Sequence, residues 1–289
     1  MASQIEKDAV SGRDTTGHEW DGIRELNTPL PRWWLWTFYA CIAFAALWVV
    51  LYPALPFSTG LTGWTARGAI GEEMARHAAA QEPRLAAIRN ASLDEIRADP
   101  GLRAYAMAGG RVAFANNCAA CHGAGGQGAP GGFPSLADDD WLWGGSLSAI
   151  EATIRHGIRN AEDDRARASM MPRFLADGLL KAPQVNDLAE HVLDLSGRAT
   201  DRAAATRGAV LFAENCAACH GERGTGNREM GAPNLADQVW LYGGDKPAIV
   251  QSIAYARGGV MPAWGPRLDP AVVRMLAVYV HALGGGEAE

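Results

Sequence analysis

Apolar and polar positions divide this chain into three regimes. Trp33 to Tyr52 (WWLWTFYACIAFAALWVVLY) is apolar on every face and carries no charge. At about 1.5 Å of rise per residue, such a run crosses a hydrocarbon layer of about 30 Å, so it predicts a transmembrane helix. From about Gly63 to Asp99 the chain turns polar and alanine-rich, which predicts helices divided near Pro83. Farther on, apolar residues recur at helical spacing around Ile150–Ile154 and Ile249–Ile253. They recur again over Val185–Leu195 and Ala271–Leu283, each of these runs ended by glycine. No run alternates convincingly at period two, so the part beyond the anchor is predicted to be mainly α.

The flanks of the apolar run refine its reading. Arg32 and the Trp33, Trp34, Trp36 group mark one membrane interface; Trp48, Tyr52 and Pro53 mark the other. The 32 residues ahead of it hold more acids than bases, unlike a short basic leader, which predicts an uncleaved anchor. Arg13, Arg24 and Arg32 precede the span and only Arg67 follows closely, which predicts a cytoplasmic N-terminus. The formal net charge of −6 argues against a nucleic-acid partner. Cys41 lies alone in the apolar run and reads as packing.

The third regime is a duplication. GRVAFANNCAACHG and GAVLFAENCAACHG match, then FPSLADDDWLWGG and APNLADQVWLYGG, then Met171-Pro172 and Met261-Pro262. Each copy contains Cys-Ala-Ala-Cys-His: Cys118, Cys121 and His122, then Cys216, Cys219 and His220. C-x-x-C-H is the attachment pattern of a c-type haem. Cysteines three apart lie on one side of a helical turn, so both thiols reach one porphyrin, and the following His is placed as proximal iron ligand. Zinc or dithiol chemistry also uses Cys-x-x-Cys. The distance from Cys121 to Cys216 is wide for a zinc ribbon, however, and neither alternative explains a His after each second Cys. Two covalently bound haem c groups per chain are predicted.

Methionine opposite histidine keeps haem iron six-coordinate and raises its potential. Met261 is the candidate in the second copy. Met170 and Met171 compete in the first, and Met171 is preferred because Met171-Pro172 matches Met261-Pro262. The iron ligands are thus His122, Met171, His220 and Met261, with their pairing across the two copies open, since docked domains could exchange methionine loops. His156 is a lesser alternative. His77 and the charged stretch Asn160–Ser169 read as solvated, Asp138–Asp140 as surface acids, and His191 as packing. No arrangement requires a general acid, base or nucleophile, so no catalytic residues are assigned.

Both copies resemble the small cytochrome c fold. In that resemblance Gly110 and Gly208 admit the closing helix, Phe114 and Phe212 pack near the haem edge, and Tyr279 takes the place of His191. Pro134 and Pro233 stand where a backbone carbonyl receives the proximal histidine N–H. With the stretch from His18 to Asn27, Pro29-Leu30-Pro31-Arg32-Trp33-Trp34 and Gly63-Trp64-Thr65 added, the chain resembles subunit III of the cbb3-type cytochrome c oxidases, the FixP-type dihaem subunit. The layout expected is a cytoplasmic segment (1–32), a transmembrane anchor (33–52), a periplasmic helical linker (53–104) and two tandem cytochrome c-like domains (105–199 and 200–289).

The resemblance implies an electron-transfer subunit in a bacterial inner membrane, with no oxygen chemistry of its own. Electrons would come from a soluble or membrane-bound cytochrome c donor. They would pass to a monohaem cytochrome c subunit and on to a haem–copper catalytic subunit that reduces oxygen to water with proton pumping. Membrane lipid is the remaining partner. A free-standing tethered carrier and a dihaem peroxidase are the competing functions.

Overall fold

The computed structural model describes residues 4–288. Packing divides it into two compact bodies between Ala80 and Gln81.

The first body opens with a hairpin, β1 (Thr15–Trp20) and β2 (Ile23–Leu26), paired antiparallel with a register irregularity between Thr15 and Glu19. Its side chains are largely exposed, and polar links hold it. Thr15, the buried residue of the pair, accepts the Glu6 N–H at 3.1 Å, while Arg24 pairs with Glu6 and, at 2.9 Å, with Glu19. Helix α1 (Arg32–Leu51) follows Pro31, has no buried residue and is long and apolar enough to cross a membrane. Trp48 and Tyr52 pack at 4.3 Å between ring centroids, and Trp64 meets Tyr52 edge-on at 5.9 Å.

Helix α2 (Ala66–Asn90) then runs through Pro83 without the predicted division. Proline there forfeits one ladder bond, yet the alanine-rich flanks carry the helix across it. The helical linker also contributes a core that its polar composition concealed. Ile88 of α2 and Ile96 of α3 (Leu93–Ala98) are fully buried against Ala106, Ala271 and Met275. Arg274 reinforces this junction by donating to the Arg89 carbonyl at 2.7 Å.

The rest of the second body is built from α4 (Pro100–Asn117), α5 (Ala119–His122), α6 (Leu147–His156), α7 (Ala182–Asp194), α8 (Arg202–Asn215), α9 (Ala217–His220), α10 (Lys246–Tyr255) and α11 (Pro270–His281). Asp99, Ser146, Asp201, Asp245 and Asp269 cap α4, α6, α8, α10 and α11 with side-chain oxygens.

The packing is crosswise. The closing helix of the second copy, α11, covers α4 and α6 of the first; the closing helix of the first copy, α7, covers α8 and α10 of the second. Each packing unit therefore draws on both sequence copies. One core joins Phe114, Ile150 and Ile154 to Val273, Leu276 and Val280; the other joins Val185, Leu188 and Val192 to Phe212, Ile249 and Ile253.

Glycine is required at both crossings. A Cβ on Gly110 would stand 2.4 Å from the Met275 carbonyl oxygen, and one on Gly208 2.1 Å from that of Asp187. Since these obstacles are backbone, Gly208→Ala is expected to destabilise by about 1–3 kcal/mol through overpacking. Thermal unfolding followed by circular dichroism measures it.

Glu190 of α7 fastens the second unit. It is fully buried, and it receives the Lys246 ammonium at 2.8 Å and the Thr200 N–H and O–H at 2.8 Å each. The Lys246 ammonium outweighs burial and, with the Asp201 and Thr200 donors, holds the carboxyl down to about 2, below its ordinary 4.5. A depressed folded value stabilises above the unfolded one. This contribution should be complete above pH 4.5 and lost as pH falls toward 2. Glu190→Gln is expected to lower the melting temperature at neutral pH and flatten its acid decline, as read from melting curves at several pH values.

Candidate haem sites and their relatives

Each Cys-Ala-Ala-Cys-His copy folds as a short turn of helix directly after the helix that precedes it. Cys118 closes α4 with its N–H on the Phe114 carbonyl, and Cys216 closes α8 on the Phe212 carbonyl, both at 2.8 Å. The histidines of the two copies are oriented identically. His122 Nδ1 lies 3.0 Å from the Pro134 carbonyl oxygen, and His220 Nδ1 3.0 Å from that of Pro233. A carbonyl only accepts, so Nδ1 carries the proton and Nε2 keeps its lone pair for a metal. Burial lowers both histidine pKa values more than the carbonyl bonds raise them, which keeps the rings neutral. Burial, with the neighbouring cysteine second, pushes the Cys118 and Cys216 thiols up to about 11. They are protonated thiols, unlike the lowered-pKa cysteine of a redox dithiol.

One cavity gathers Cys118, Cys121, His122, Phe114, Pro134, Trp141, Ile150 and Ile154 with Met261, Pro262, Trp264 and Val280. The methionine brought to the first Cys-Ala-Ala-Cys-His copy is thus the one from the second copy. Main-chain bonds fix it there: Met261 and Ile158 exchange N–H and carbonyl at 3.0 Å both ways, and the Trp264 N–H reaches the Ile154 carbonyl at 3.0 Å. The other site mirrors this. Met171 packs against the core that holds Cys216 and Phe212, while the Phe174 and Ala176 N–H groups bond to the Ile253 and Ala254 carbonyls at 3.2 Å. Met170 points away, with 75 % of its surface exposed. His191 and Tyr279 are ring partners of Phe212 and Phe114, at 5.0 and 5.4 Å. His156 is held by Asp163 at 2.8 Å and is absent from the cavity wall. His77 is exposed beside Glu73.

Two arginines were missed in the sequence. Arg167 bonds to Thr153 Oγ1 at 2.9 Å and the Ala149 carbonyl at 3.2 Å, and stacks on Trp143. Arg257 bonds to Ser252 Oγ at 3.1 Å and the Ala248 carbonyl at 2.7 Å, and stacks on Tyr242. Each fastens the chain to its own helix just before the crossover. Each also stands four residues ahead of a methionine, Met171 or Met261, a repeated Arg-x-x-x-Met-Pro that was there to be read. The stretch Asn160–Ser169, read as a solvated loop, is tied back by Arg167 to Thr153 and by Asp163 to His156.

The donor set fits a c-type haem: two thiols on one helical turn, an imidazole with Nε2 free, a thioether facing them and apolar walls between. Comparison with known proteins agrees. Residues 12–59 match the N-terminal domain of cytochrome oxidase-cbb3, FixP; residues 106–196 match cytochrome c; residues 203–280 match cytochrome c oxidase, cbb3-type, subunit III. The cbb3-type cytochrome c oxidase subunit CcoP of Azospirillum brasilense is 53 % identical, covering 99 % of this chain and all of that one. The chain belongs to the CcoP/FixP family. The subunit FixP of Azorhizobium caulinodans is 52 % identical over 97 % of this chain and 96 % of its own. The subunit CcoP of Cereibacter sphaeroides is 50 % identical over 94 % of this chain and 95 % of its own. The mainly helical architecture, with one apolar N-terminal helix and two cytochrome c segments, is what the sequence led one to expect.

Proposed function

We propose that this chain is a single-pass dihaem electron relay of a cbb3-type oxidase, with each haem held crosswise between the two sequence copies. Cys118 and Cys121 would attach the first haem, with His122 and Met261 holding its iron; Cys216 and Cys219 would attach the second, with His220 and Met171 holding its iron. Bound there, a c-type haem supplies a reversible one-electron couple. The chain's own residues do the rest. The Pro134 and Pro233 carbonyls orient the imidazoles and raise their basicity. The Phe114, Ile154 and Val280 side chains keep water from the first site, and Arg167 and Arg257 hold the strands that present the two sulfurs.

The carrying observation is that one cavity wall holds both thiols, the tied imidazole and Met261, and continues into Gly231 and Leu241 of the second unit. Sites that adjoin in this way suit transfer between them. The N-terminus is cytoplasmic and the haem segments periplasmic, an orientation supported by Arg13, Arg24 and Arg32 ahead of α1. A cytochrome c-type donor delivers electrons, which pass to the monohaem and haem–copper subunits, where oxygen is reduced and protons are pumped.

Two measurements test this. Mass spectrometry of the mature chain should show two added haem masses; none would end the proposal. Purification in mild detergent should bring down a haem–copper subunit, and its absence would leave a free-standing carrier.

A further inference from the structure

Arg159 stands in the left-handed region at φ 50°, just after α6, where the two crossing strands pass. Its Nε donates to the Gly259 carbonyl at 2.6 Å, on the strand that leads to Met261. Its Nη1 donates to the Ser169 carbonyl at 3.1 Å, on the strand that leads to Met171. The half-buried guanidinium lines the first haem cavity and forms no ion pair among the described residues. Burial lowers its pKa. The carboxylate on the same wall, Asp140, is pushed up by burial and then by Asp237 and Asp138, and is not paired with it. A partly desolvated cation without a counter-ion gives up some hydration, which an anionic group of the cavity's occupant would offset. The matching position of the second copy lacks the cation: Arg159 lies five residues after Ile154, whereas Gly258 lies five after Ile253.

We propose that Arg159 recognises a propionate of the haem held by Cys118, Cys121 and His122, and that its charge raises the potential of that haem alone. The proposal rests on the haem assignment above. A nearby cation disfavours the oxidised iron, which carries the extra positive charge, and it acts strongly where water is excluded.

The test uses the full haem-loaded chain in detergent, with Arg159→Gln and Arg159→Lys. Spectroelectrochemistry reads the two midpoint potentials, absorption reads the methionine–iron bands, and mass spectrometry reads the haem count. Gln keeps amide donors for the carbonyls but removes the charge. It should lower the midpoint of the first haem, leave the second in place and retain both bands, while Lys should restore most of the shift. Unmoved potentials, equal shifts at both haems, a Lys variant that behaves like Gln, or loss of either band would overturn the proposal. A parent chain without two covalent haems would instead remove the assignment beneath it.

Discussion

Met261→Ala is expected to strip the methionine ligand from the haem at Cys118 and Cys121, and to spare the haem at Cys216 and Cys219. The sulfur lies in the cavity of the first attachment pair, fixed by the paired Met261 and Ile158 main chains. Alanine cannot ligate iron, so one of the two methionine–iron bands should disappear. The midpoint of that haem should also fall, because thioether ligation favours the reduced state. Both thioether attachments should persist. A Cys216→Ala/Cys219→Ala background identifies the affected site: there Met261→Ala should abolish the remaining band and Met171→Ala should not. Loss of the band in the second combination only would place each methionine in its own sequence copy.

A chain ended after residue 199 should keep one attachment pair but complete neither site. It retains α4, α5 and α6 but lacks α11, whose Val273, Met275, Leu276 and Val280 are buried in the first unit. Each such side chain contributes about 1.5–3 kcal/mol by burial. Together they rival the whole stability of a domain, about 5–15 kcal/mol. It also retains α7 and Met171 without α8 or the second attachment pair. The expected product has one covalent haem, no methionine band and no cooperative thermal transition. A copy closed on itself would behave oppositely, keeping a methionine-ligated haem and a sharp melt. Absorption and melting curves separate the two.

Much of this arrangement was legible because local chemistry encodes it. The charge-free run gives α1, the Cys-Ala-Ala-Cys-His pairs give the attachment turns, and Met-Pro after each pair gives the candidate ligands. Partner choice was not legible. The α7 and α11 sequences bury the same kind of face, and His191 and Tyr279 both present a ring to a phenylalanine. Periodicity records that a face is covered, not by which neighbour. The arginines ahead of each methionine were visible as a repeat, but their role depends on stacking across loops. The hairpin at Thr15–Leu26 escaped notice because main-chain pairing and the Arg24–Glu6 and Arg24–Glu19 links hold it, with hardly any buried apolar face. Pro83 misled in the other direction, since a helix with alanine on both sides absorbs one lost bond.

The most direct measurement is a density map of the haem-loaded chain in its detergent-solubilised complex, read at the iron held by His122. Met261 Sδ should occupy the position opposite the imidazole, with α11 lying across Gly110. Met171 sulfur in that position, with α7 across Gly110, would contradict the crosswise account.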